Sequence, residues 1–184
     1  MFQEMGIAFE VRPADLDERM LDGETPQEFA VRAAKEKWLE AATRLEREGR
    51  TPWVVSADTI VVLDGVVMTK PKDREDAARM LRDLSGRTHT VVTGWMVGRL
   101  HDKPVARHTR TSVTFHELTD EQIDGYVSTG EGLDKAGSYA IQEIGAFLVK
   151  RIEGDYFNVV GLPISLVVRA LIELGALAPD FPGR

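Results

Sequence analysis

Asp58 is the residue whose setting most needs a chemical explanation. It follows Trp53-Val54-Val55-Ser56-Ala57, an apolar run suited to a buried strand. A carboxylate left unpaired in such surroundings is costly. The sequence therefore places Asp58 at a strand end, against a cation, a metal or water; the competing reading is a surface turn aspartate. Thr59 adds a hydroxyl beside it, and hard oxygen donors at such a place suit Mg²⁺ or Mn²⁺. Glu18, in the run Asp15-Leu16-Asp17-Glu18, is a second acid, although acidic runs are usually just solvated. Lys70 precedes Pro71, which biases it toward an extended conformation and makes it a reasonable phosphate contact. The segment Asp134-Lys135-Ala136-Gly137-Ser138-Tyr139 is Gly-bearing and can approach a ligand closely. Gln142 follows it with an amide donor and acceptor able to read a base edge. The four histidines show no ligand spacing and read as structural.

These residues need elements to hold them. Thr25, Pro26 and Glu28 form a capping box that opens a helix running to Glu48 and ending at Gly49. Lys37 falls inside its apolar stripe, either as a snorkelling lysine or as a functional one; periodicity alone does not decide. Strands are expected over 53–57 and 60–63, with an Asp64-Gly65 hairpin turn and a return over 66–68. A helix follows from an Asp73 N-cap to Leu84, then long Thr- and Val-rich strands over 88–100 and 105–118. Thr119 and Gln122 open another helix, which stops at Gly130 before a Gly-rich loop reaching Gly145. Short extended pieces are expected over 7–11, 147–152 and 156–160, and Pro163 starts the last helix. Helices interleaved with hairpins predict a mixed α/β fold with a mixed sheet.

The whole chain narrows the field. Its 184 residues fit one domain, 1–184, able to bury roughly 70% of its unfolded surface. Zero Cys excludes disulfides, thiolate zinc sites and a thiol nucleophile. The net charge of −7 argues against a nucleic acid polymer or a membrane surface as partner. No leader is visible, and the most apolar helix candidate, over 163–177, is interrupted by Arg169 and Glu173, so the chain reads as cytoplasmic. Neither GxxxxGK[ST], GxGxxG nor GxSxG occurs, which disfavours P-loop hydrolysis, hydride transfer and a serine elbow.

Taken in order, several stretches resemble the Maf family of nucleotide pyrophosphatases. They are Asp17-Glu18, Lys37, Ser56-Ala57-Asp58-Thr59-Ile60-Val61-Val62, Lys70-Pro71 and Leu84-Ser85-Gly86. They continue with Thr88 through Gly94, Asp134 through Gln142 and Asn158-Val159-Val160-Gly161-Leu162-Pro163, covering nearly the whole chain. The resemblance implies an inosine triphosphate pyrophosphatase-like fold, with an elongated mixed sheet and two lobes around a central cleft. It implies hydrolysis of a nucleoside triphosphate to monophosphate and pyrophosphate with a divalent metal, Mg²⁺ or Mn²⁺. By that resemblance Asp58 is the proton acceptor, Glu18 and Asp58 hold the metal, Lys37 and Lys70 contact phosphates, and Thr59 and Gln142 read the base. Thr and Gln there match the branch acting on dTTP and UTP, whereas the 7-methyl-GTP branch tends to carry Gln and Glu. A homodimer is also implied. The family opens with a strand and a Ser-x-Ser-Pro-Arg-Arg loop that binds phosphates, and Phe2 to Gly6 matches the helix after it. The reading therefore expects this chain to start downstream of that loop. A second function stands beside the enzyme: a nucleotide-binding or regulatory protein linked to cell division.

Overall fold

A computed structural model describes residues 1–14, 16 and 19–178. The chain is mixed α/β. Its elements are α1 (Pro26–Arg47), β1 (Val54–Leu63), β2 (Val66–Met68), α2 (Arg74–Leu84), β3 (Thr88–Gly98), β4 (Val105–Phe115), α3 (Asp120–Thr129), β5 (Val149–Glu153), α4 (Tyr156–Val160) and α5 (Ile164–Glu173). The five strands form one sheet in the order β2-β1-β3-β4-β5. β1 and β2 pair antiparallel around Asp64-Gly65, both of which have positive φ, as a type I′ hairpin turn requires. β4 and β5 also pair antiparallel, with a register shift between Thr114 and Phe115.

The chain divides into two compact units: residues 1–58, 94–108 and 162–184 form the first, and 59–93 with 109–161 the second. Each has its own core. In the first, Trp38, Ala41, Ala42 and Leu45 of α1 pack with Val54 and Met96, and α5 packs Val167, Ala170 and Leu171 on Trp95 and Val97. In the second, α2 supplies Ala78, Leu81 and Leu84 to a cluster holding Val61, Val91, Val113, Phe115, Tyr126 and Tyr139.

α1 begins as the capping box predicts: Glu28 N donates to Thr25 Oγ1, and Thr25 N donates to the Glu28 carboxylate. α3 repeats the device with Thr119 and Gln122. Two of the expected strands do not form, and the two expected over 53–57 and 60–63 are one continuous strand, β1. Residues 7–11 form no strand. Residues 156–160 form the short helix α4, not an extended piece. Asp155 caps it by accepting from Phe157 N, and Gly161 ends it at φ 118°. The β-branched Val159 and Val160 favour strands on propensity, but the two caps fix the turn.

Candidate functional site

Asp58 does not lie at a strand end. It sits inside β1, with strand residues on both sides, and is only 6% exposed. What makes this tolerable is Lys37, whose Nζ donates to Asp58 Oδ1 at 2.6 Å. A buried carboxylate paired with an ammonium avoids the penalty of an isolated buried charge. The surface-turn reading of Asp58 and the simple snorkelling reading of Lys37 both fall with this contact.

The local sequence builds the pair. Ala34, Lys37 and Trp38 are spaced i, i+3, i+4 and share one face of α1. That face meets β1 through three polar contacts. Trp38 Nε1 donates to Val54 O at 3.0 Å, Ser56 Oγ donates to Ala34 O at 2.7 Å, and Lys37 reaches Asp58. Residues 54, 56 and 58 share one side of a strand by its period of two. The helix also lies tight on β3: a Cβ at Gly94 would stand 2.1 Å from Ala30 O, so only glycine fits.

Thr59, next along β1, belongs to the second unit and enters a different network. Its Oγ1 lies 2.9 Å from Thr93 Oγ1 and 3.3 Å from Gly161 O. Thr93 Oγ1 donates to Asn158 O at 3.0 Å. Asn158 is fully buried and spends both amide protons, on Val91 O and on Thr111 Oγ1. Its Oδ1 has no hydrogen-bond partner among the described residues.

Lys70 is exposed just beyond β2, in a groove of about 430 Å³ that also presents Thr69, Lys72, Asp76 and Arg79. The Gly-bearing loop comes to the same place. Gly137 N donates to Thr69 O at 3.2 Å. The Asp134 carboxyl is held below its usual value chiefly by the hydrogen bond from Lys135, with the charge of Lys70 adding to it. Gly137 has φ 68°, and a Cβ there would stand 3.0 Å from the Val61 side chain, so both the backbone and the space favour glycine. Glu131 closes the loop by accepting from Ile144 N and Gly145 N, and Tyr126 Oη accepts from Ala140 N. Gln142 is exposed and precedes a short 3₁₀ turn, Glu143–Leu148.

Tyr139 anchors that loop from below. Its hydroxyl lies 2.8 Å from His89 Nε2, and His89, Phe115 and Tyr139 stack edge to face with centroids 4.8 to 5.4 Å apart. Burial pushes the His89 imidazole down to about 4 and the Tyr139 phenol up. His89 is thus a neutral structural residue, as the lack of ligand spacing implied.

Of the site residues expected from sequence, Lys37 and Asp58 are in direct contact. Lys70 neighbours the Asp134–Gln142 loop, and Glu18 lies outside the described residues. Thr93 and Asn158 received no role from sequence. The signal for them was a buried apolar run interrupted by a threonine, and an asparagine between Phe157 and Val159. Among the described residues, no three His, Asp or Glu side chains are grouped to hold a metal by themselves. The described donor is the Asp58 carboxylate. It fits a cation such as Mg²⁺, which takes one or two carboxylates and completes its octahedron with water and substrate phosphate oxygens. It does not fit a closed protein cage.

The sequence profile of the family described as Maf-like protein matches residues 1–174. The chain belongs to the Maf family. Its relatives include the dTTP/UTP pyrophosphatase of Syntrophotalea carbinolica, 50% identical over 174 residues that make up 94% of this chain and 78% of that protein. The dTTP/UTP pyrophosphatase of Geobacter sulfurreducens is 49% identical, over 94% of this chain and 88% of that protein. The protein of the same name from Pyrococcus furiosus is 46% identical, over 90% and 84%. Such likeness across nearly the whole chain brings the Asp58 strand, the Lys70 turn and the Gly-bearing loop within one family.

Proposed function

We propose that this Maf-family chain is a nucleoside triphosphate pyrophosphatase that hydrolyses dTTP and UTP to the monophosphate and pyrophosphate. The observation that carries the reading is a buried Asp58 held by Lys37 and followed directly by Thr59. Three relatives with nearly full coverage, all named dTTP/UTP pyrophosphatase, support the substrate.

Asp58 is the catalytic base. It takes a proton from a water whose oxygen attacks the α-phosphorus. The new P–O bond forms as the α–β anhydride bond breaks, and pyrophosphate leaves. Lys37 keeps one Asp58 oxygen occupied, which fixes the carboxylate's rotation. Lys70 neutralises charge on the departing pyrophosphate, and Thr59 and Gln142 meet the base. Glu18 and Asp58 would hold a Mg²⁺ or Mn²⁺ ion, which supplies charge stabilisation on the phosphoryl oxygens. The same reading takes the protein as a cytoplasmic homodimer that binds no nucleic acid polymer, in keeping with the net charge of −7. Among the described residues no helix is long and apolar enough to cross a membrane.

The test is pyrophosphate release from dTTP, UTP, CTP and 7-methyl-GTP with Mg²⁺ or Mn²⁺. Turnover should be greatest with dTTP and UTP, and Asp58→Asn should lower kcat by at least about 100-fold. Full turnover by Asp58→Asn would remove Asp58 from the chemistry. Nucleotide binding by calorimetry without turnover would replace the enzyme by a binding protein.

A further inference from the structure

The Thr59 hydroxyl has one proton, and the network beneath it decides where that proton goes. Thr93 Oγ1 lies 3.0 Å from Asn158 O, a carbonyl that can only accept, so the Thr93 proton points there. Thr93 is fully buried. With its proton committed, Thr93 meets Thr59 at 2.9 Å as an acceptor, and Thr59 donates inward. The alternative arrangement leads to the same end. If Thr93 donated to Thr59 instead, the Thr59 proton would turn to Gly161 O at 3.3 Å, again an acceptor only. In both arrangements the proton stays inside the protein, and what Thr59 offers outward is a lone pair.

Asn158 holds this polarity in place. Its amide protons reach Val91 O of β3 and Thr111 Oγ1 of β4, both at 3.1 Å. Thr111 is saturated in turn, donating to Asp155 O while accepting from Asp155 N. The backbone carbonyls of Asn158 and Gly161, which bracket the end of α4, are therefore fixed against two strands.

We propose that Thr93 is a positioning residue for base selection: by committing the Thr59 proton inward it makes Thr59 an obligate acceptor, suited to a pyrimidine that carries N3–H. Uracil and thymine carry that hydrogen, whereas N3 of cytosine is a bare acceptor and would face the Thr59 lone pair without a proton between them. An unpaired acceptor facing an acceptor costs far more than a missing contact. The inference rests on the reading above in which Thr59 meets the base.

The test compares kcat/KM for UTP, CTP and N3-methyl-UTP in the wild type, Thr93→Val and Thr93→Ser. Thr93→Val keeps the shape but removes the nearer inward acceptor, leaving the Thr59 proton only the longer 3.3 Å contact to Gly161 O, which it can exchange for an acceptor on the base. The UTP:CTP ratio should fall about tenfold in Thr93→Val and return in Thr93→Ser. N3-methyl-UTP should be at least about tenfold poorer than UTP in the wild type, a measurement that requires no variant to fold. Equal use of UTP and its N3-methyl analogue overturns the proposal. So does a Thr93→Val enzyme that loses UTP and CTP turnover by the same factor. A wild type that releases no pyrophosphate from any nucleotide would refute the pyrophosphatase reading itself and this inference with it, whereas turnover with no preference for UTP over CTP would refute this inference alone.

Discussion

His89 shows how a single buried group ties acidity to stability. Its Nε2 meets the Tyr139 hydroxyl, while its Nδ1 has no hydrogen-bond partner among the described residues. Burial lowers the imidazole from its ordinary 6.5 to about 4. The unfolded chain therefore binds a proton at higher pH than the folded one. The neutral-histidine contribution is fully present above about pH 6.5 and declines as the pH falls toward about 4. By pH 5 the loss from this group alone should be about 2 kcal/mol. Urea unfolding of wild type and His89→Gln between pH 7.5 and 5 checks this: the stability gap between them should shrink as the pH falls, and parallel curves would clear His89 of the effect. The sequence carried part of this, since unspaced histidines read as structural. It also marked Asp58 as needing a partner. The partner, Lys37, is 21 residues away and became visible only once α1 lay on β1. Thr93 and Asn158 were less legible still, because their roles depend on hydroxyl and carbonyl groups drawn from β1, β3, β4 and α4 together.

At the level of elements, helix starts were the most legible feature, because a capping box is a local pattern of four residues. The β1–β2 hairpin was legible as well, through Asp64-Gly65, but the β4–β5 pairing and the α4 turn were not, because a distant ladder needs a neighbour and α4 depends on its two ends. The packing of α1 on β3 is the clearest case of a constraint with no local mark. Gly94 stands in the middle of a strand, where glycine is normally unfavourable. Its absent Cβ is what lets the Ala30 carbonyl approach, and the same approach seats Lys37 over β1. Gly94→Ala should therefore destabilise the protein by about 3 kcal/mol or more, since the obstructing atoms are backbone and cannot rotate away. Gly125, inside α3, is the control. A Cβ there meets nothing within 4 Å, so Gly125→Ala should raise stability by about 0.5–1 kcal/mol on helix propensity alone. Denaturant midpoints of the two variants measure both effects, and equal effects in the same direction would refute the packing argument.

The whole molecule divides in a way that composition does not reveal. The boundaries between the two compact units fall at 58/59, 93/94, 108/109 and 161/162, and the first three lie within β1, β3 and β4. No run of Gly, Pro or Ser marks those three, so the sequence reads as continuous there, whereas Gly161-Leu162-Pro163 flanks the fourth. Asp58 and Thr59, the proton acceptor and the base reader of the proposed function, are neighbours on β1 that end up in different units. Three strands whose backbones run from one unit into the other make independent melting expensive, because freeing one unit breaks strands that the other still needs. The chain carries its own reporters for this. All three tryptophans, Trp38, Trp53 and Trp95, fall in the first unit, and all three tyrosines, Tyr126, Tyr139 and Tyr156, in the second. Thermal unfolding followed by tryptophan fluorescence and by tyrosine absorbance should therefore give one coincident transition, as expected of a two-state domain. Two separated midpoints would mean that the shared strands do not couple the units, and that the residues around Thr59 can unfold while the Lys37–Asp58 pair persists.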